Sequence, residues 1–240
     1  MANFEIVSRP EPFLHVQLTQ GEKIYCESDA MVMMESNLEL KGKLQGGIIQ
    51  SLLRTFATGE SLFQQTIEAK YGDGECLLSP PLDGDMYVLN VSPQEEYILS
   101  DGAFVAATEK VEVTAKVQSN IGGAIFGGTG GFVVMQAKGL GKLAISGTGT
   151  MMELNIDTKG NEEVTIDNGH VVAWDSSLTY SVGMPRQRDS GFLGTVMNSL
   201  TSGEGLVIRF KGKGKVYLSS RNKGAWASWI MSLVNQARSN

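Results

Sequence analysis

Histidine and cysteine are scarce in this chain, with two of each in 240 residues. A β domain that binds metal gathers several histidines around a carboxylate, whereas His15 and His170 stand far apart at positions that do not correspond. No metal ligand, cofactor or catalytic residue is therefore assigned. Cys26 and Cys76 sit among apolar neighbours in strand-like stretches, where a free thiol acts as a small hydrophobe and a reducing compartment is expected. No Gly-x-Ser-x-Gly elbow is present. The glycine run from Gly122 to Gly131 lacks the Gly-Lys-Ser/Thr ending of a phosphate loop, and Gly139-Leu140-Gly141-Lys142 meets Leu143 where Ser or Thr is required. Asp83 and Asp85 flank Gly84 just after Pro80-Pro81 and read as turn residues rather than as a general acid and base.

Long apolar runs are missing too. None approaches the roughly 18 residues that span a bilayer, and Met1 to Pro10 lacks the basic start and apolar core of a leader. A cytoplasmic protein without a transmembrane segment is expected. Six prolines against 29 glycines, the latter spread along the whole length, indicate many tight bends within a single domain, 1–240. One absence is local. From Gly205 to Asn240 there is no Asp or Glu, although seven of the 20 basic residues fall there and the net charge is −6.

What is present in triplicate is an eight-residue pattern: Gly72-x-Gly74-Glu75-Cys76-Leu77-Leu78-Ser79, Gly139-x-Gly141-Lys142-Leu143-Ala144-Ile145-Ser146, and Gly212-x-Gly214-Lys215-Val216-Tyr217-Leu218-Ser219. Each reads as a bend feeding a short buried strand. A strand precedes each copy, at Gly59 to Phe63, Gly128 to Val133 and Gly203 to Val207. After the first two copies, further strands follow in the same order, ending in the apolar runs Ala103 to Ala107 and His170 to Trp174. The matching strands for the third copy are at the other end, ending in Ala30 to Met34.

The expected fold is all-β: three related modules with pseudo-threefold symmetry, each a double-stranded β-helix or sandwich, with a C-terminal amphipathic helix. The modules span about 57–113, 126–180, and 201–222 with 10–40, so that both termini complete the third and no sheet edge stays open. The three apolar runs are expected to be buried on both faces. Helical signals are few. Ile48 to Arg54 and Gly191 to Leu200 are short candidates, and the strong one is 225–237, where Trp226, Trp229, Ile230, Leu233, Val234 and Ala237 share one stripe.

Gly59-Glu60-Ser61-Leu62-Phe63, Gly169 to Asp175, and Gly203 to Val207 with Gly214 to Asn222 resemble signatures of the Altered Inheritance of Mitochondria family, over about Phe13 to Asn222. Its bacterial members are TRAP-like, named for a fold like that of the tryptophan RNA-binding attenuation protein. The resemblance implies a β-rich fold of three modules, a bacterial cytoplasmic setting and no established biochemical role; mitochondrial relatives are linked to organelle biogenesis and inner-membrane organisation. This chain departs from the pattern at Thr129, where a Glu would be expected.

Two surfaces remain as candidates. Arg209, Lys211, Lys213 and Lys215, if extended, project to one side as a stripe for anions or nucleic acid; pairing with Glu22, Glu27, Asp29, Glu35 and Glu39 of the N-terminal strands is the favoured alternative. The terminal stripe of Trp226, Trp229, Ile230 and Leu233 either caps an open end of the β structure or docks on another subunit or protein partner. A homo-oligomeric, non-enzymatic scaffold or binding protein is expected, with an RNA or polyanion binder as the alternative.

Overall fold

The structure, a computed structural model, describes residues 1–42, 65–80, 82–118, 132–184 and 206–239. It is mostly β-sheet with one C-terminal helix, and no sheet among the described residues closes into a barrel. The candidate helices Ile48 to Arg54 and Gly191 to Leu200, the opening strand Gly59 to Phe63 and the glycine run Gly122 to Gly131 lie outside the described residues.

The Gly-x-Gly pattern marks a corner between sheets. Its first copy joins β6 (Gln65–Glu68) to β7 (Gly74–Leu78), its second β12 (Phe132–Gly139) to β13 (Gly141–Thr148), and its third β18 (Val207–Lys211) to β19 (Lys213–Ser219). In every case the two strands belong to different sheets. Such a change of direction puts Gly139 at φ +115° and Gly212 at φ +104°, a region that favours glycine. At Gly139 a Cβ would also stand 2.2 Å from the Lys110 carbonyl oxygen.

Each strand after the corner is central in an antiparallel triplet. β7 lies between β2 (Phe13–Leu18) and β4 (Met31–Met34), β13 between β8 (Gly84–Val91) and β10 (Phe104–Thr108), and β19 between β14 (Met151–Asp157) and β16 (Val171–Asp175). All three triplets break register on one side, between Met31 and Met33, Phe104 and Ala106, and Val171 and Ala173. An extra residue at such a bulge bends the strand and sharpens its twist. The strands before the corners make triplets of their own: β5 (Glu39–Gly42), β6 and β3 (Lys23–Cys26); β11 (Val111–Gln118), β12 and β9 (Tyr97–Leu99); β17 (Thr179–Gly183), β18 and β15 (Val164–Asp167).

Triplets join edge to edge where β3 bonds β10 and β9 bonds β16, giving two six-stranded sheets. A four-stranded sheet, β2, β7 and β4 extended by β1 (Asn3–Val7), and a three-stranded sheet of β15, β18 and β17 complete the fold. Alternation decides which side chains turn inward: in β2, Leu14, Val16 and Leu18 are buried while His15 and Gln17 face out. Three apolar clusters result, each between a triplet that follows a corner and one that precedes it. Leu14, Cys76 and Ile24 represent the first, Leu143, Leu99 and Val113 the second, and Trp174, Phe210 and Val216 the third.

Two expectations need correction. Residues 10–40 do not pair with 201–222: β2 and β4 flank β7, and β3 pairs with β6 and β10. Each post-corner strand takes neighbours that precede it in the chain, so β7 recruits the N-terminal strands across a far shorter loop than the C-terminal strands would require. The run Ala30 to Met34 is not buried on both faces either. Ala30 is buried, but Val32 is 52% and Met33 40% exposed, because β4 ends its sheet where the outer edges of β10 and β16 are covered by β3 and β9.

The final helix, α1 (Lys223–Ser239), is longer than the apolar stripe alone indicated. Asn222 caps it: its Oδ1 accepts from the Ala225 N–H at 3.0 Å, while its Nδ2 donates to Asp167 Oδ1 at 3.3 Å. The stripe does not seal the β structure. From Lys223 to Gln236 every side chain is exposed except Ile230, which is half-buried.

Candidate functional site

The Trp side of α1 forms one wall of a cleft of about 1220 Å³, opposite the turns at Arg9–Pro10 and Leu82–Asp85, with Thr150 and Arg221 at its floor. Trp226 and Trp229 remain 47% and 58% exposed within it. Asp85, at the start of β8, ties together the side of the cleft that faces α1. Its Oδ1 accepts from Arg9 Nη1 at 2.7 Å and from the Met86 N–H at 2.9 Å, and its Oδ2 from the Met151 N–H at 3.4 Å. The sequence context suggests a turn residue, but Asp85 is the second residue of β8, opposite Gly147, and its carboxylate has structural partners.

Beneath the first turn of α1 lies a smaller cavity of about 110 Å³, lined by Glu27, Ser100, Asp101, Ser146, Thr148 and Lys223 among others. Burial pushes the Glu27 carboxyl up to about 7; the Lys223 ammonium works against this, and Asp101 and Asp29 add to it. This is a carboxyl that changes charge near neutrality beside a lysine at a helix start. Sequence reasoning missed it, because Glu27, Asp101 and Lys223 are brought together from three separate parts of the chain.

The basic segment is divided by its corner. Arg209 and Lys211 lie on β18 in one sheet, Lys213 and Lys215 on β19 in another, so the four do not form one stripe. Arg209 is 6% exposed, held by Glu163 at 3.6 Å and donating from Nη2 to the Met184 carbonyl. Lys211 faces Glu163 at 3.7 Å, Lys213 faces Asp157 at 3.9 Å, and Lys215 meets Glu153 at 3.2 Å. Charge pairing is what the sequence favoured, but the partners come from β14 and the loop before β15. Of the N-terminal acids named as partners, Glu39 begins β5 and the others flank β3 and β4, and none of these strands adjoins β18 or β19 in any sheet.

The remaining polar candidates have structural partners. His15 Nε2 is 2.8 Å from Glu75 Oε2, and His170 Nδ1 is 2.8 Å from the Ser219 carbonyl oxygen. Both cysteines are buried and free, with thiols pushed up to about 12 chiefly by burial. Among the described residues, no group of three or more His, Cys, Asp or Glu side chains is arranged to hold a metal ion, and no helix is long and apolar enough to cross a membrane.

Comparison with known proteins places this architecture. A family model described as mitochondrial biogenesis AIM24 matches residues 4–221. An uncharacterized protein of Streptococcus pyogenes serotype M6 is 34% identical over 225 residues, covering 91% of this chain and 85% of that protein. The crystal structure of a Streptococcus pyogenes protein superposes with a TM-score of 0.79 at 30% identity, covering 97% of this chain and all of that one.

Proposed function

The chain belongs to the mitochondrial biogenesis AIM24 family, and from that premise we propose that it is a non-enzymatic cytoplasmic scaffold or binding protein that acts as a homo-oligomer, docking through the apolar stripe of α1. Its body is read as three related modules with approximate threefold symmetry, a frame whose task is to hold the helix. The observation that carries the reading is the exposure of Trp226, Trp229 and Leu233 along a helix that packs against almost nothing.

A helix of 17 residues with serines and a glycine is marginal in water by itself. Covering the open half of each tryptophan on association contributes about 2 to 3 kcal/mol. A second α1 offers the complementary surface: the stripe is apolar, and α1 carries no acidic residue and few basic ones to repel a copy of itself. The polyanion reading has less behind it, since Arg209, Lys211, Lys213 and Lys215 each face a carboxylate.

Light scattering across a hundredfold concentration range tests the proposal. The wild type is expected at a multiple of its chain mass, and the double variant Trp226→Ser/Trp229→Ser at a lower mass than the wild type at every concentration, with unchanged circular dichroism. A wild type that stays monomeric throughout would sink it.

A further inference from the structure

Each post-corner strand has a bulged neighbour, and in two of the three triplets the far edge of that neighbour is filled. Ala106, Ala107 and Thr108 of β10 stand opposite Cys26, Tyr25 and Ile24 of β3. Ala173, Trp174 and Asp175 of β16 stand opposite Leu99, Ile98 and Tyr97 of β9. One further rung extends both ladders, from the Glu27 N–H to the Val105 carbonyl and from the Ser100 N–H to the Val172 carbonyl, each at 2.9 Å.

The third neighbour, β4, ends its sheet. Val105 and Val172 are 0% and 5% exposed, while Val32, in the corresponding place before the bulged pair, is 52% exposed. The missing kind of strand exists elsewhere in the molecule. β15 stands to β18 as β9 stands to β12: Val164 is opposite Phe210 and Tyr97 opposite Ala137, each partner two residues before its Gly-x-Gly corner. Yet β15 also ends its sheet, and among the described residues no ladder joins it to β4. Among the described residues, β4 is therefore an edge that lacks its usual strand, and β15 is a strand of that kind with no neighbour at its outer edge.

We propose that β4 of one protomer pairs antiparallel with β15 of a second copy. The two filled junctions set the register: Met33 opposite Ile166, Met34 opposite Thr165, Glu35 opposite Val164, with the Asp167 N–H donating to the Val32 carbonyl. Val32 and Met33 then gain the cover that Val105 and Ala106 have from β3. Because β4 and β15 are different surfaces, the contact is heterologous, and each added copy brings a new free edge, so assembly runs to a ring or an open filament. The contact is separate from α1 and does not depend on the docking proposed for it.

Disulfide trapping tests this with full-length protein. Directly opposed residues of an antiparallel pair have Cα atoms about 4.5 to 5.5 Å apart, within the span a disulfide bridges, and the native Cys26 and Cys76 are buried. Met33→Cys and Ile166→Cys variants, mixed and mildly oxidised, are expected to give a dimer-sized band on a non-reducing gel, while neither variant alone does. The double variant should link into higher bands. A mixture that stays unlinked, or a double variant that closes its bond within one chain, overturns the proposal.

Val32→Lys, added to both variants, is expected to prevent linking with circular dichroism unchanged; linking that persists would refute the edge contact. Linking should survive Trp226→Ser/Trp229→Ser. Failure of the helix contact and failure of the strand contact are thereby read separately.

Discussion

Replacing Glu27 by Gln should stabilise the protein above neutral pH and leave it nearly unchanged in acid. Glu27 lines the small cavity under α1, and burial raises its carboxyl to about 7, against the opposing pull of Lys223. In the unfolded chain a glutamate titrates near 4.3. Between these values the folded protein holds a proton that the unfolded chain has released, so rising pH draws the equilibrium toward unfolding. The stabilisation is complete below about 4.3 and lost above about 7.

At about 1.4 kcal/mol per tenfold change in proton affinity, an ionised Glu27 costs the fold at most about 3.8 kcal/mol relative to the neutral acid. Glu27 is only partly buried, and solvent screening reduces this to about 1 to 2 kcal/mol. Urea unfolding of wild type and Glu27→Gln between pH 4 and pH 8.5 measures the difference directly. Carboxyls held below their usual range act in the opposite direction in both proteins and cancel; Glu75, held down by hydrogen bonds from Gln17 and His15, is one. The variant should match the wild type near pH 4 and lead by about 1 to 2 kcal/mol at pH 8.5. A difference that does not change with pH, or a variant less stable at pH 8.5, would refute the reasoning.

The corner glycines should differ in what they tolerate. Gly139→Ala drives a Cβ into the Lys110 carbonyl and is expected to cost about 3 kcal/mol or more, whereas Gly212→Ala meets nothing nearer than Leu178 at 4.0 Å and should cost about 1 to 2 kcal/mol for its backbone conformation alone; chemical denaturation midpoints rank the two. Among the cations, Arg209→Met removes the buried cation beside Glu163 and the donor to the Met184 carbonyl and should cost about 2 kcal/mol, while Lys213→Met, at a pair whose lysine side chain is 84% exposed, should shift stability by less than about 0.5 kcal/mol. Thermal unfolding of both variants checks this, and equal losses would contradict the assigned burial.

Local pattern made much of the fold legible. Gly-x-Gly before an apolar triplet marked β7, β13 and β19, and period-two alternation marked β2. Strand β1 was overlooked, although Asn3-Phe4-Glu5 carries the same alternation, with Phe4 buried and its neighbours exposed. Asn222 was available as a cap signal before α1 and went unused. Pairing was harder to read, because a strand's pattern states which face is inward and not which strand lies beside it. That is why residues 10–40 were assigned to the wrong partner, and why Met31 to Met34 were expected to be as buried as Ala103 to Ala107.

The sequence by itself determined the strand content, the three corners and the amphipathic terminal helix, since each follows from backbone preference or from periodicity within a few residues, while the family rests on the resemblance of its signature residues. Only the tertiary structure decided that the Gly-x-Gly corner splits the basic residues between two sheets, that Arg209 is buried with Glu163, and that Glu27 comes to lie beside Lys223. It also decided that the apolar stripe of α1 stays largely exposed and that, among the described residues, β4 and β15 end their sheets. Burial and charge environment depend on segments tens to hundreds of residues apart meeting in space, and no local pattern in this chain encodes which of them meet.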